Sequence, residues 1–262
     1  MLKTSIDKGM IKRSFSRAAS TYDEFSSFQK ETAEEVSRRL ASLVENGEAP
    51  SVLDIGCGTG RLMGLINASI PGARVFACDI AFPMLLKTRE NNGPSCSGLV
   101  ASECESLPFI DSSFDIAASS LTFQWAELSA AFSEAARVLE KSGLFIFSTL
   151  GPETLKEIRE CYPGYHGLEF NNCDEIENGL KAAGLDPLFI EKRIVRKRYA
   201  NLMELLRTLK YIGASPPLEC GKGLSPGRAL KEAGRSYARM FASADGGVYA
   251  TYELMIAAAR KP

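Results

Sequence analysis

Val52-Leu53-Asp54-Ile55-Gly56-Cys57-Gly58-Thr59-Gly60-Arg61 reads as a strand, a glycine turn and the start of a helix. Val52, Leu53 and Ile55 form the short apolar run of a strand packed on both faces. Gly56, Gly58 and Gly60 let the backbone turn sharply and come close to a ligand, because no Cβ stands in the way. The helix that follows aims its free N–H groups and positive dipole end into that turn.

The spacing narrows the ligand. The pattern is G-x-G-x-G with an acid, Asp54, two residues before the first glycine. A dinucleotide fingerprint would be G-x-G-x-x-G, and position 61 is Arg; no Gly-Lys-Ser/Thr of a phosphate-binding loop follows. An acid at the strand end repels pyrophosphate and suits a cationic ligand that also carries ribose hydroxyls and an amine. S-adenosylmethionine has that chemistry. A nucleotide site and a purely structural strand–turn–helix are the alternatives.

Arg74 to Asp79 reads as a second strand tipped by an acid. Asp79 falls about 20 residues after the turn, where a carboxylate can accept both hydroxyls of a ribose. A solvated strand-end aspartate is the alternative. Pro83 starts the next helix, so Ile80 and Met84 are placed beside an adenine. Gly98 to Ala101 is a third strand, and the acidic loop Ser102 to Phe109, with Glu103 and Cys104, follows as a partner for an adenine amine. Ser113 to Ser119 is a fourth strand. Ligands in open α/β sheets lie beyond the carboxyl ends of the strands, which places Ser120, Gln124 and Trp125 at the site. Leu144 to Thr149 is a fifth strand, and Gly151-Pro152 is expected to open a helix.

Upstream, Asp7 to Ala18 reads as a short helix. Thr21-x-x-Glu24 is a capping-box pattern for a second helix reaching about residue 47. These helices precede the first strand, so they can fold over the mouth of the turn, with Tyr22, Arg17 and Gln29 as candidate contacts. Downstream, Asn171 to Ala183 reads as a helix and Asp186 to Arg198 as a strand. Two amphipathic helices, Asn201 to Ile212 and Ser225 to Phe241, precede a last strand from Val248 to Ala259.

The 262 residues, 45% hydrophobic and 24% charged, suit one globular domain. It divides into an N-terminal helical cap (1–47), a cofactor-binding core (48–150) and a helical lid insertion (200–245). No run of about 18 apolar residues suggests a membrane span, and the charged first residues do not resemble a secretion signal. The seven cysteines include no C-x-x-C pair, and His166, in a loop, is the only histidine. Neither a disulfide framework nor a metal site is expected, and a cytoplasmic setting is. From Lys181 onward fifteen Lys or Arg stand against seven Asp or Glu. The remainder is acidic, so the C-terminal third is either an ordinary solvated surface or a basic face for an acidic partner.

The succession of strands and helices implies a doubly wound α/β sheet. With the acidic glycine turn it resembles the class I S-adenosylmethionine-dependent methyltransferases: a Rossmann-like sheet of seven strands, the last antiparallel. Four further stretches narrow the likeness. They are Phe15-Ser16-Arg17-Ala18-Ala19 with Tyr22-Asp23, Leu121 to Trp125, Phe147 to Pro152 with Thr154-Leu155, and Leu209 to Ala214. Together they resemble the malonyl-acyl-carrier-protein O-methyltransferases of biotin biosynthesis, the BioC family. Two departures are visible: Glu103 stands where the family usually has Asp, and Tyr249-Ala250-Thr251-Tyr252 keeps only the Thr-Tyr of the family's Pro-Leu-Thr-Tyr.

The resemblance implies methyl transfer from S-adenosylmethionine to the free carboxylate of malonyl-acyl carrier protein, or of malonyl-CoA, with no nucleic acid or membrane partner. Asp54, Gly56, Cys57, Gly58 and Gly60 would then seat the methionine part, Asp79 the ribose, and Ile80, Met84, Glu103 and Cys104 the adenine. Ser120 and Gln29 complete the cofactor set. Tyr22, Gln124 and Trp125 would wall the reacting groups. Arg17, Arg207 and Lys210 are candidates to hold the acyl carboxylate. No catalytic base is required. Methyl transfer to another small acid or a quinone-type carbon, and a non-catalytic cofactor-binding module, are the competing readings.

Overall fold

The computed structural model describes residues 7–44, 49–162, 167–214 and 226–262. Helices α1 (Lys8–Ala18), α2 (Tyr22–Phe25) and α3 (Ser27–Leu43) come first. Then follow β1 (Ser51–Ile55), α4 (Arg61–Ser69), β2 (Arg74–Asp79), α5 (Phe82–Asn92), β3 (Gly98–Ala101) and β4 (Phe114–Ser120). The second half holds α6 (Leu128–Val138), β5 (Leu139–Leu150), α7 (Lys156–Cys161), α8 (Cys173–Ala182) and β6 (Asp186–Tyr199). Helices α9 (Leu202–Tyr211) and α10 (Pro226–Met240) precede β7 (Val248–Arg260).

The seven strands form one sheet in the order β3-β2-β1-β4-β5-β7-β6. Strands β1 to β5 pair in parallel, and β7 runs antiparallel to both β5 and β6. The order reverses between β1 and β4, the switch point where the crossovers diverge and leave a crevice at the strands' carboxyl ends.

Both faces of the sheet are covered, which explains why β1 is buried at every position. On one face Val36 and Leu40 of α3 and Met63 and Ile66 of α4 pack on Val52, Val75 and Ile146. On the other, Phe132 and Ala135 of α6 and Ile176 and Leu180 of α8 pack on Leu53, Phe145 and Phe147. Phe123 sits among Phe132, Phe145 and Phe147 with ring centroids 5.2–5.6 Å away, within the range where edge-to-face contacts are favourable. A third cluster joins α9, α10 and α7 to the outer ends of β6 and β7 and to Phe28, with Tyr22 and Phe25 of α2 beside it.

Two expectations about helix starts fail. Thr21 makes no capping hydrogen bond, and Ser26 breaks the predicted long helix into α2 and α3. The Thr21 hydroxyl donates instead to the carbonyls of Ala18 (3.2 Å) and Tyr211 (2.9 Å), tying the N-terminal helices to α9. Gly151-Pro152 does not open a helix either; α7 starts at Lys156 after a turn that holds Leu155 at φ 55°. Side chains from β7 and α7 capture that turn: Glu253 accepts from the Glu153 N–H (2.9 Å), and the buried Glu157 accepts from the Thr251 N–H (3.1 Å).

Candidate active site

The glycine turn forms the floor. Gly56, Gly58 and Gly60 have φ of 71°, 56° and 82°, the left-handed region that penalises any side chain. A Cβ on Gly56 would stand 2.3 Å from Thr122 Oγ1, whereas one on Gly58 would meet nothing within 4 Å, so the turn is open on that side. Asp79, at the end of β2, locks the turn. Its Oδ2 accepts from the Gly58 N–H (2.9 Å) and its Oδ1 from the Ala81 N–H (2.8 Å). Asp23 of α2 ties the turn from above by accepting from Thr59 Oγ1 (2.7 Å).

Asp54 lies beneath, fully buried. Its Oδ2 accepts from the Met63 N–H in the first turn of α4 (3.1 Å), and its Oδ1 has no hydrogen-bond partner among the described residues. Burial, reinforced by the nearby charge of Asp79, pushes the Asp54 carboxyl up to about 7 against the Met63 N–H. Burial also raises Asp79, opposed by the two N–H groups it accepts from. Two buried carboxyl groups flanking one glycine turn, each held back from ionising chiefly by burial, favour a cation over pyrophosphate there.

The walls come from the ends of three strands: Ile80 after β2, Ser102, Glu103 and Cys104 after β3, and Ser120, Leu121, Thr122 and Trp125 after β4. Lys8, Ile11 and Phe15 of α1 and Tyr22 of α2 complete the lining, around roughly 640 Å³ of empty space partly open to solvent. Lys8 latches this roof. Its ammonium pairs with Glu105 and donates to the Trp125 carbonyl (3.0 Å), and the Phe15 ring meets Trp125 edge-on at 5.5 Å. Burial would raise Glu105, but Lys8 and the Glu127 N–H outweigh it and hold the carboxyl below its ordinary range.

The sequence reading placed Tyr22, Gly56, Gly58, Asp79, Ile80, Glu103, Cys104, Ser120 and Trp125 at the site, and all line this cavity. Ser102 and Glu105, from the acidic loop it placed beside an adenine, line it too; it missed Lys8, Ile11, Phe15, Leu121 and Thr122. A signal existed for the first three: positions 8, 11 and 15 share one face of a helix.

Other expected residues lie elsewhere. Gln124 is buried behind the wall, donating to the Leu121 carbonyl (2.5 Å) and accepting from Thr149 Oγ1 (3.3 Å), so it braces two strand ends rather than facing a ligand. Met84 is buried with Ala19 and Ala81 behind Ile80. Cys57 packs under the turn, its sulfur 3.5 Å from Thr88 Oγ1, and Gly60 starts α4. Gln29 is half-buried on α3 and does not line the cavity. Arg17, Arg207 and Lys210 are exposed, and none lines it. Lys8 is the single cationic lining residue among those described. The described residues contain no group of three His, Cys, Asp or Glu able to hold a metal. His166 and Cys220 lie outside them.

S-adenosylmethionine fits this donor set. Asp79 offers a carboxylate with further acceptor capacity at the strand end and Gly58 an open backbone; Asp54, expected at the site, does not line the cavity but lies under the turn with one buried oxygen unpartnered among the described residues. Comparison with known proteins points the same way. Residues 53–147 match a methyltransferase domain model. A malonyl-acyl-carrier-protein O-methyltransferase of Laribacter hongkongensis is 35% identical over 98% of this chain and 90% of its own length. One of Geobacter sulfurreducens is 34% identical over 95% and 97%. A solved geranyl diphosphate methyltransferase in complex with SAM shares the fold at 16% identity, with a TM-score of 0.55 over 87% of this chain and 85% of that one. A relationship this extensive, on a seven-stranded sheet with this acidic glycine turn, places the chain in the malonyl-acyl-carrier-protein O-methyltransferase family, S-adenosylmethionine-dependent O-methyltransferases of the class I fold.

Proposed function

We propose that the chain binds S-adenosylmethionine between Asp54 and Asp79 and methylates the free carboxylate of a malonyl group carried as a thioester on an acyl carrier protein. The kinship along nearly the whole chain carries the choice of acceptor. Bound there, S-adenosylmethionine supplies an electrophilic methyl group on a cationic sulfur. Asp79 accepts the ribose hydroxyls, and Asp54 gives the ligand's positive charge a buried counter-charge.

The chemistry asks little more of the protein. A malonyl carboxylate, with a pKa near ~4, is ionised at neutral pH, so no group has to remove a proton. Neither titratable hydroxyl nor thiol at the wall would serve as a base. Burial raises Tyr22, helped by Asp79 and Asp23, and burial raises Cys104, helped by Glu105. Rate then comes from alignment and from excluding water around the nucleophile. Ile11, Phe15, Tyr22 and Trp125 supply that exclusion, and an aromatic face beside a cation adds about 0.5–2 kcal/mol.

A labelled-methyl assay offering malonyl-carrier protein, malonyl-CoA and a quinone mimic tests the reading. Label should appear as a base-labile ester on the malonyl group. Label on the quinone alone, or on no acceptor despite tight cofactor binding, would overturn it.

A further inference from the structure

The outer face of α10 carries charges that the fold leaves unbalanced. Ala229, Leu230, Ala233 and Tyr237 turn inward to the cluster shared with α9 and the outer ends of β6 and β7. Arg228, Lys231, Arg235 and Arg239 are exposed, and their spacing of three, four and four puts them in one stripe. Lys231, Arg235 and Arg239 repeat every fourth residue, and like charges so placed oppose the helix. Arg228 lies in the first turn, which holds no acid, so it also opposes the helix dipole. The stripe's one acid, Glu232, pairs with Arg228 at 3.2 Å. Lys231, Arg235 and Arg239 have no ion-pair partner among the described residues. Met240, half-exposed, stands at the C-terminal end.

The helix that carries the stripe connects to the site through one intervening helix. Helix α10 packs on α9, and α9 packs on α2, whose Tyr22 lines the cavity. Just beyond α9, Gly213 abuts Phe15 of the roof, where an added Cβ would stand 3.0 Å from the ring.

We propose that the basic stripe Arg228–Lys231–Arg235–Arg239 is the docking surface for an acidic carrier protein that presents the acyl group on its flexible arm. This rests on the acceptor proposed above. Acidic side chains laid along α10 would remove the repulsion within the ladder and raise the rate of encounter. Nucleic acid is also polyanionic, but a separate protein that brings an acyl thioester to the cavity is the occupant that uses the stripe and that site together.

The test compares the parent with the double charge reversal Arg235→Glu/Arg239→Glu, neither residue lying at the cavity. For malonyl-carrier protein, kcat/KM should fall roughly tenfold or more and lose most of its salt dependence, as steering charges of this kind act on association. For malonyl-CoA, which lacks the protein, kcat/KM should stay within about twofold. Equal losses on both substrates would mean damaged packing, and an unchanged value with the carrier protein would mean docking elsewhere; either overturns the proposal. Binding of the unacylated carrier protein, followed by fluorescence anisotropy, reads the surface without any methyl transfer. Parent binding lost in the variant supports the stripe even if neither malonyl substrate is methylated, a result that would overturn only the acceptor. Equal binding by parent and variant, or displacement by an oligonucleotide at the same concentration as by carrier protein, overturns it.

Discussion

Replacing Asp54 with Asn should stabilise the cofactor-free protein at neutral pH while weakening cofactor binding. The carboxyl titrates at 3.8 when exposed and at about 7 in the fold, chiefly because burial penalises its charge. For an acid raised in this way, the native state binds the proton more tightly than the unfolded chain does. The penalty is absent below 3.8, grows as pH rises, and is complete above about 7. At about 1.36 kcal/mol per pKa step, the gap corresponds to roughly 4 kcal/mol. Asparagine still accepts from the Met63 N–H but never ionises. Urea unfolding of both proteins at a series of pH values gives the difference in stability, in which the titrating groups that do not interact with Asp54 cancel. That difference should move in favour of Asp54→Asn by roughly 4 kcal/mol between about pH 4 and pH 7.5, then level off. Any constant cost of an unpartnered amide shifts the curve without bending it. A curve flat to within about 1 kcal/mol would show that Asp54 titrates as an ordinary carboxylate, and the account of a charge held against its own desolvation would be wrong. In the parent, cofactor binding should tighten as pH rises through about 7 and release a proton, seen as a buffer-dependent heat in calorimetry.

Asp79→Ala should weaken S-adenosylmethionine binding by an order of magnitude or more, since hydrogen bonds to a charged acceptor contribute about 1.5–3 kcal/mol each; unchanged affinity in calorimetry would remove Asp79 from the ribose. Lys8→Met keeps the stem but cuts the latch to Glu105 and the Trp125 carbonyl. Cofactor dissociation in stopped-flow should quicken several-fold, and an unchanged off-rate would show that the roof is held elsewhere. Phe123→Ala, at a fully buried position among three aromatic rings, should cost about 3–5 kcal/mol in denaturant unfolding. A cost under about 1 kcal/mol would contradict the close packing there.

Much of the fold was legible because its signals are local. The apolar runs at 52–55 and 74–79, the glycines at 56, 58 and 60, and the amphipathic spacing of α6, α9 and α10 each depend on neighbours in sequence, and the doubly wound class follows from the alternation of elements. What escaped depends on residues far apart. Thr21 looked like a cap, yet its hydroxyl is taken by a carbonyl 190 positions away, on Tyr211. Pro152 looked like a helix start, yet Glu253 from the last strand holds the turn. Gln124 was placed toward a ligand because it follows a strand end, and only the packing shows Leu121 and Thr149 claiming its amide. The cation at the cavity was sought at Arg17, Arg207 and Lys210, none of which lines it. It is Lys8, and Glu105, 97 residues away, is what selects it.

The roof of the cavity is lightly attached. Helix α1 buries only Ala18 of its eleven residues, so detaching it exposes little apolar surface, whereas parting the strands beneath would dismantle the core. Opening is therefore expected to be cheapest at α1, the kind of lightly buried segment that unfolds locally while a core stays intact. On that expectation a ligand would reach the glycine turn without motion of the sheet, with α1 as the door and the Lys8–Glu105 pair at its outer end as the catch.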